Sequence, residues 1–381
     1  MKIRFNTLNT PQIAYISLGT NLGDKALNLQ QAIGEIHLNA GEVVGISKVY
    51  QTPSWGFEGH TFFNAALKIL TRLSPKELLE ALLAIETTLG RRRSTPKGYE
   101  NRLIDLDILF YSDTIVNEHY LKIPHPTLQD RRFVLQPMMD LDESLNHPAF
   151  DMSIVELLEE TTDKDPIEEV EVILESSKNS CSLTQFRYLA IEGNIGSGKT
   201  SLATMIAQDY NAKLVLERFK DNPFLPKFYE NASRFAFPLE MSFLADRYQQ
   251  LKDELAQYDL FKDFIVSDYD VFKSLIFAKI TLAEDEYSLY KTLFDIIHKD
   301  LVKPDAYVYL YQNTERLLEN IKKRGRQYEQ NIQPEYLEKI NKNYLAYIKS
   351  KQDANVKIID VSALDFVAKR KDYLAVLEEI G

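Results

Sequence analysis

The sequence predicts two domains of different class: an α+β sandwich first, then an α/β domain built on a parallel sheet. Three observations carry this. The chain has 381 residues, enough for two or three domains of ordinary size. Gly193–Thr200 reads G-x-x-x-x-G-K-T, between the apolar run Tyr188-Leu189-Ala190-Ile191 and a helical pattern from Ser201 to Ala207. That is the strand–loop–helix setting a phosphate-binding loop requires. Before the loop, strand-like and helix-like runs come in the order βαββαβ. After it, apolar strands alternate with helices and end in polar residues.

In the first half, residues 1–11 read as an arm. Ile13–Leu18 is strand-like and ends at Gly19-Thr20-Asn21-Leu22-Gly23-Asp24. From Asp24, the spacing of Leu27, Leu29, Ala32, Ile33 and Ile36 predicts a helix. Val43–Tyr50 predicts one strand, broken by Thr52-Pro53, and Phe62–Leu70 the next. Ser74-Pro75-Lys76-Glu77 starts a helix with a serine cap, proline in the first turn and an acid three residues on. Leu103–Phe110 closes this half as a strand.

Two features there carry chemistry. Asp105 and Asp107 stand at i and i+2 of a strand, so both carboxylates share a face. Such a pair repels itself unless a cation lies between, which suits Mg²⁺. Just upstream lies Arg91-Arg92-Arg93, with Lys97 and Arg102. Either feature alone also reads as a solvated strand face or loop. Within one ordered segment they point to an anion-and-metal site.

The stretches AYISLGTNLGD (14–24), TPSWGFEGHTFFNAAL (52–67), LGRRRSTPKGYENRLIDLDILF (89–110), IPHPTL (123–128) and DRRFVLQPM (130–138) resemble hydroxymethyldihydropterin pyrophosphokinase of folate biosynthesis, in that family's order. The resemblance covers residues 12–160. It implies a ferredoxin-like α+β sandwich that moves the terminal two phosphates of ATP, as one unit, to a pterin hydroxymethyl group. It implies that Asp105 and Asp107 hold Mg²⁺ and that Arg91, Arg93 and Arg102 neutralise phosphates, Arg91 and Arg102 with a closing loop. Glu86, His125 and Arg131 would contact ATP. Asn64 and the backbone at Thr52, Pro53 and Trp55 would bind the pterin edge, with Phe62 and Phe133 stacked on its faces. Position 62 is Phe where the family often has Tyr.

Residues 161–185 read as a linker, acidic and then serine-rich, with Ile167–Leu174 alternating like an extra strand. Beyond it, strands are predicted at Lys213–Leu216, Phe264–Tyr269, Ala306–Leu310 and Lys357–Val361, and a long helix at 237–256. With the strand before the phosphate loop they make a five-stranded parallel sheet, with functional residues at the strand C-terminal ends. Gly193, Asn194, Ile195, Gly196, Ser197, Gly198, Lys199, Thr200 and Ser201 would wrap phosphates with backbone N–H groups, Lys199 reaching the terminal phosphates and Thr200 a Mg²⁺ ion. Glu217, past the second strand, can take a proton from an acceptor hydroxyl. Lys323, Arg324 and Arg326 read as a lid over phosphates, or as basic residues complementing their own helix dipole.

IEGNIGSGKTSLA (191–203), LERFKDNPFLPKFYE (216–230), FPLEMSFLADRYQQL (237–251), SDYDVFKSLIFA (267–278), KPDAYVYL (303–310) and KKRGRQYEQNI (322–332) resemble the deoxynucleoside kinases, in their bacterial deoxyadenosine/deoxyguanosine branch, over 186–368. The resemblance implies Glu217 as general base on the nucleoside 5′-hydroxyl, and Tyr229 and Glu329 on the sugar 3′-hydroxyl. Glu240 and Arg247 would read the base, and Arg324 and Arg326 would be lid arginines. Many relatives carry Glu-Arg-Ser where this chain has Ser267-Asp268-Tyr269, so the arginine near the reacting phosphate is absent or comes from elsewhere. Asp268 remains a Mg²⁺ or phosphate-side acid. Glu240 and the branch favour a purine. The expected chain is thus a fused pterin pyrophosphokinase and deoxynucleoside kinase using ATP and Mg²⁺. The alternatives are a nucleoside monophosphate as acceptor, or one catalytically silent half.

Net charge is −11, which argues against nucleic acid or an anionic membrane as partner. One cysteine, Cys181, excludes an internal disulfide framework and suggests a reducing compartment. No signal-like start or long apolar run is evident, so a soluble, cytoplasmic protein is expected. By family resemblance it would pair as a homodimer through the C-terminal half.

Overall fold

β1 (Gln12–Thr20) lies inside an antiparallel sheet because its residues alternate. Ala14, Ile16 and Leu18 enter one core and Tyr15 enters another on the opposite face. This is seen in a computed structural model that describes residues 10–91, 101–176, 183–218, 222–256, 261–349 and 355–381. The chain divides into two units, Met1–Asn179 and Ser180–Gly381.

In the first unit α1 (Lys25–Asn39) begins where the Asp24 side chain accepts from the Leu27 N–H at 3.0 Å, and its Leu29, Ala32, Ile33 and Ile36 pack on the sheet. The single strand expected over 43–50 is two, β2 (Glu42–Ile46) and β3 (Val49–Thr52). They part at Ser47, whose Oγ takes the Ala66 N–H at 2.8 Å in place of a backbone carbonyl. β4 (Phe62–Thr71) is followed by α2 (Pro75–Thr88), which starts with the expected capping box of Ser74 and Glu77. Then come β5 (Asp105–Tyr111), a hairpin of β6 (Val116–Asn117) and β7 (Lys122–Ile123), and α3 (Arg132–Leu141). A second hairpin, β8 (Asn146–His147) and β9 (Met152–Ser153), leads into α4 (Ile154–Glu160). With β10 (Glu168–Val170) at one edge, the sheet order is β10-β3-β4-β1-β5, with β2 also on β4. α1 and α2 cover one face, α3 and α4 the other. α3 escapes a propensity reading because it contains Pro137. β10 (Glu168–Val170), inside the stretch expected to link the domains, pairs antiparallel with β3, and Val170, Val172 and Leu174 pack on the first core.

The second unit is organised on β11 (Tyr188–Gly193), buried along its whole length. α5 (Lys199–Asp209) follows the phosphate loop. β12 (Lys213–Val215), α6 (Leu225–Glu230), α7 (Ala232–Ala256), β13 (Ile265–Ser267), α8 (Lys273–Thr281) and α9 (Glu284–Ile297) come next. β14 (Ala306–Tyr311), α10 (Thr314–Arg324), α11 (Pro334–Lys349), β15 (Val356–Asp360) and α12 (Arg370–Ile380) complete the chain. The sheet has the five expected strands, in the order β12-β13-β11-β14-β15, and every pairing is parallel. All strand C-termini therefore open on one edge, beside the phosphate loop.

Candidate active sites

In the first unit β5 runs against β1 with Asp105 opposite Gly19 and Asp107 opposite Ser17. This register puts both carboxylates on one face, in a cleft they share with Arg102, Arg131, Phe62 and Asn64. Asp105 accepts from both Arg91 and Arg102. Burial, and then the neighbouring Asp105, push Asp107 up to about 7. A buried second carboxyl beside a first is a repulsion that a divalent cation relieves. Glu86 lies beneath, 2% exposed. It accepts the Leu106 N–H at 2.9 Å and pairs with Arg91, so it anchors both the strand and the arginine. Asn21 was not foreseen. Its carboxamide accepts the Arg102 N–H and donates to Asn101, both at 2.6 Å, fixing the segment that presents Arg102.

The cleft continues into an aromatic slot. Phe62 and Phe133 both line it, with Thr52, Pro53 and Trp55. Asn64 is buried and donates to Thr52 Oγ1 at 2.9 Å. The Arg131 guanidinium stands 4.9 Å over the Trp55 ring and 5.8 Å from Phe133, a cation–π arrangement. Phe57, also unforeseen, meets Phe62 edge-on at 6.3 Å. His125 is held down to about 4 by burial and by Arg131. Arg93 lies outside the described residues.

In the second unit the loop from Gly193 to Thr200 turns tightly. Gly198 has φ +91°, and a Cβ there would lie 2.6 Å from the Phe366 ring, so no other residue fits without rearrangement. Lys199 Nζ donates to the Asn194 carbonyl at 2.7 Å. Burial, and then Lys273, lower it to about 8. The Asn194 side chain donates to the Leu337 carbonyl and to Asn341 on α11, each at 2.8 Å. Ile195 packs between the clusters of α10 and α11. Ser197 Oγ is buried with no partner, and Ser201 lies in the first turn of α5. Thr200 Oγ1 donates to Asp268 Oδ2 at 2.5 Å, and Asp268 Oδ1 accepts the Glu217 N–H at 2.8 Å. Burial, and then Glu217, raise Asp268. Threonine and aspartate thus form a ready oxygen pair beside the loop. Among the described residues no three His, Cys, Asp or Glu side chains cluster as a metal cage. The residues that could hold a metal are pairs, Asp105 with Asp107 and Thr200 with Asp268.

Glu217 is gripped by two cations. Lys273 Nζ lies 2.6 Å from Oε2, and Arg247 donates to Oε1 at 2.9 and 2.7 Å and to Ser274 Oγ at 2.7 Å. Burial alone would raise this carboxyl, but Lys273 and then Arg247 hold it down at about 2. Arg247, expected beside a base, is thus committed to Glu217. Lys273 was missed. Its signal is a lysine in the first turn of a helix, against the dipole. Glu240 is 2% exposed. Its Oε1 accepts from Thr281 at 3.1 Å and its Oε2 has no partner. Tyr229 packs on the cluster of Leu317, Ile321 and Leu337. Glu329, expected with Tyr229 on a sugar, pairs with Arg324 and, at 3.1 Å, with Arg326.

A phosphate loop after the middle strand of a parallel sheet, with acids at the strand ends, defines the second unit as a phosphate-loop nucleotide-binding domain. The first unit is of another build, an antiparallel sheet with helices on both faces. Residues 189–381 match the family described as deoxynucleoside kinase, and 15–143 the family described as 7,8-dihydro-6-hydroxymethylpterin-pyrophosphokinase. The chain is 37% identical to the deoxyguanosine kinase of Bacillus subtilis over 49% of its length and 92% of that protein. It is 36% identical to the 2-amino-4-hydroxy-6-hydroxymethyldihydropteridine pyrophosphokinase of Aquifex aeolicus over 39% of its length and 91% of that protein. A solved deoxyadenosine kinase of M. mycoides aligns with a TM-score of 0.44 at 26% identity, covering 51% of this chain and 96% of that one. The chain belongs to the deoxynucleoside kinase family through its second half and to the hydroxymethylpterin pyrophosphokinase family through its first. No helix of the described residues is long and apolar enough to cross a membrane.

Proposed function

We propose that this chain carries two ATP-dependent transfers at separate sites. The first unit, a ferredoxin-like sandwich, moves a pyrophosphoryl group from ATP to the hydroxymethyl group of 6-hydroxymethyl-7,8-dihydropterin. The second moves the γ-phosphoryl group to the 5′-hydroxyl of a deoxynucleoside. What carries the reading is that the two units present two unrelated devices suited to phosphate. Paired strand carboxylates with arginines serve in the first, and a glycine loop with Lys199 in the second.

In the first unit Asp105 and Asp107 would hold Mg²⁺, which would screen the phosphate charge as the bond to the leaving AMP breaks. Arg91 and Arg102, on Asp105 in this structure, are placed to pass to phosphate oxygens. His125 and Arg131 would flank the nucleotide, and Arg93 would neutralise its phosphates. Phe62 and Phe133 sandwich the pterin, and Asn64, held by Thr52, reads its edge. In the second unit the loop amides and Lys199 bind phosphates, and Thr200 with Asp268 would hold Mg²⁺. Glu217 accepts a hydrogen bond from the 5′-hydroxyl and aligns it for attack. Tyr229 and Glu329 would bind the sugar and Arg324 and Arg326 would close on the phosphates once their pairs with Glu329 open, and Glu240 would face the base. The name of the Bacillus subtilis relative and the unpaired Glu240 oxygen support a purine. A cytoplasmic protein that dimerises through its second unit fits this reading.

The test is a pair of variants in the full chain. Asp107→Asn is expected to lower pyrophosphoryl transfer by on the order of a hundredfold or more and leave nucleoside phosphorylation intact. Lys199→Met does the reverse. Loss of both activities in either variant would refute two independent sites. A panel of deoxynucleosides and their monophosphates identifies the acceptor.

A further inference from the structure

We propose that Lys273 is a positioning residue for nucleoside phosphorylation: from the first turn of α8 it pins the Glu217 carboxylate in one rotamer for the acceptor hydroxyl. This rests on the proposed kinase reading of the second unit. The loop after β13, which opens with Asp268-Tyr269, supplies no cation. Lys273 supplies one instead. Its Nζ is 2.6 Å from Glu217 Oε2, and the residue is only 9% exposed. Arg247 holds the other oxygen from α7, itself tied to Ser274, the neighbour of Lys273. A carboxylate bound on both oxygens by buried donors cannot rotate without breaking a charge-assisted hydrogen bond.

A lysine at this place has a cost that needs a reason. It stands at the positive end of a helix, and its charge also bears on Lys199. Every element around Glu217 contributes a charged or titratable group. Asp268 and Tyr269 follow β13, Glu240 and Arg247 lie on α7, and Lys199 opens α5. Arg247 and Lys273 are the two cations in direct contact with it. With Lys273 removed, Oε2 loses a charge-assisted hydrogen bond and Arg247 holds the carboxylate by its other oxygen. Glu217 would then lose its fixed orientation towards the acceptor hydroxyl.

The experiment compares the full chain with Lys273→Met and Lys273→Arg. Deoxynucleoside phosphorylation is measured at pH 8 with kcat and KM separated, and pyrophosphoryl transfer by the same chain is the check that it is folded. The expected result is a methionine variant lowered about tenfold or more in kcat with KM for the nucleoside changed by no more than about twofold, and an arginine variant that recovers most of kcat. A methionine variant that keeps the wild-type kcat, a loss confined to KM, or arginine doing no better than methionine would overturn the proposal. A crystal structure of substrate-free Lys273→Met decides it without turnover: the Glu217 side chain should occupy more than one rotamer, and a single rotamer as in wild type overturns it. If wild type phosphorylates no deoxynucleoside, the kinase reading fails while the crystal structure still settles Lys273.

Discussion

Glu240→Gln isolates the energetic consequence of one buried, half-satisfied carboxyl. Burial raises Glu240 from its ordinary 4.5 to about 7, with Arg247 and Thr281 only partly offsetting it. The folded chain therefore holds a proton there that the unfolded chain releases. The sign follows from linkage: the penalty is absent below pH 4.5, grows as pH rises, and is complete above about pH 7. The gap between 4.5 and about 7, at about 1.4 kcal/mol per pH unit, corresponds to about 3 kcal/mol. Because Glu240 is 2% exposed, little of this is screened. Glutamine is neutral at every pH and keeps the bond to Thr281. At pH 8.5 the variant's second unit should thus melt roughly 6–12 °C above wild type, on the usual scaling for a unit of about two hundred residues. At pH 5 the two should nearly coincide. The assay is scanning calorimetry of the full chain across that range, following the transition that a deoxynucleoside shifts. A variant less stable than wild type at pH 8.5, or a difference independent of pH, would refute the reasoning.

Further outcomes follow from the same geometry. Gly198→Ala places a Cβ 2.6 Å from the Phe366 ring at φ +91°, and should destabilise the second unit by about 1–3 kcal/mol, read by denaturant melts, while abolishing nucleoside phosphorylation. His125 is held at about 4 by burial and Arg131, so it stays neutral above pH 5. The pH profile of pyrophosphoryl transfer should show no limb near 6.5 that disappears in His125→Asn. Leu82→Ala empties a fully buried position between α2 and the sheet. It should cost about 2–5 kcal/mol in the first unit's calorimetric transition and leave the second unit's unchanged. Asn64→Ala leaves the buried Thr52 hydroxyl without its partner. It should cost about 1–3 kcal/mol and raise KM for the pterin more than for ATP.

Local sequence determined what local physics controls. Gly193–Thr200 could be located from spacing alone, because a backbone that wraps phosphate needs glycine at fixed offsets and a helix directly after. Ser74 and Glu77 marked a helix start because the cap is made within four residues. Asp105 and Asp107 shared a face by the pleat of one strand. Tertiary structure decided which distant groups meet. Ser47 split an expected strand through a hydrogen bond to a neighbouring one, and β10 joined the edge of a sheet from a stretch that reads as a linker. Arg247 and Lys273 come from two different helices to one carboxylate. Such partners depend on the packing of helices far apart in the chain, which no short-range pattern of residues encodes.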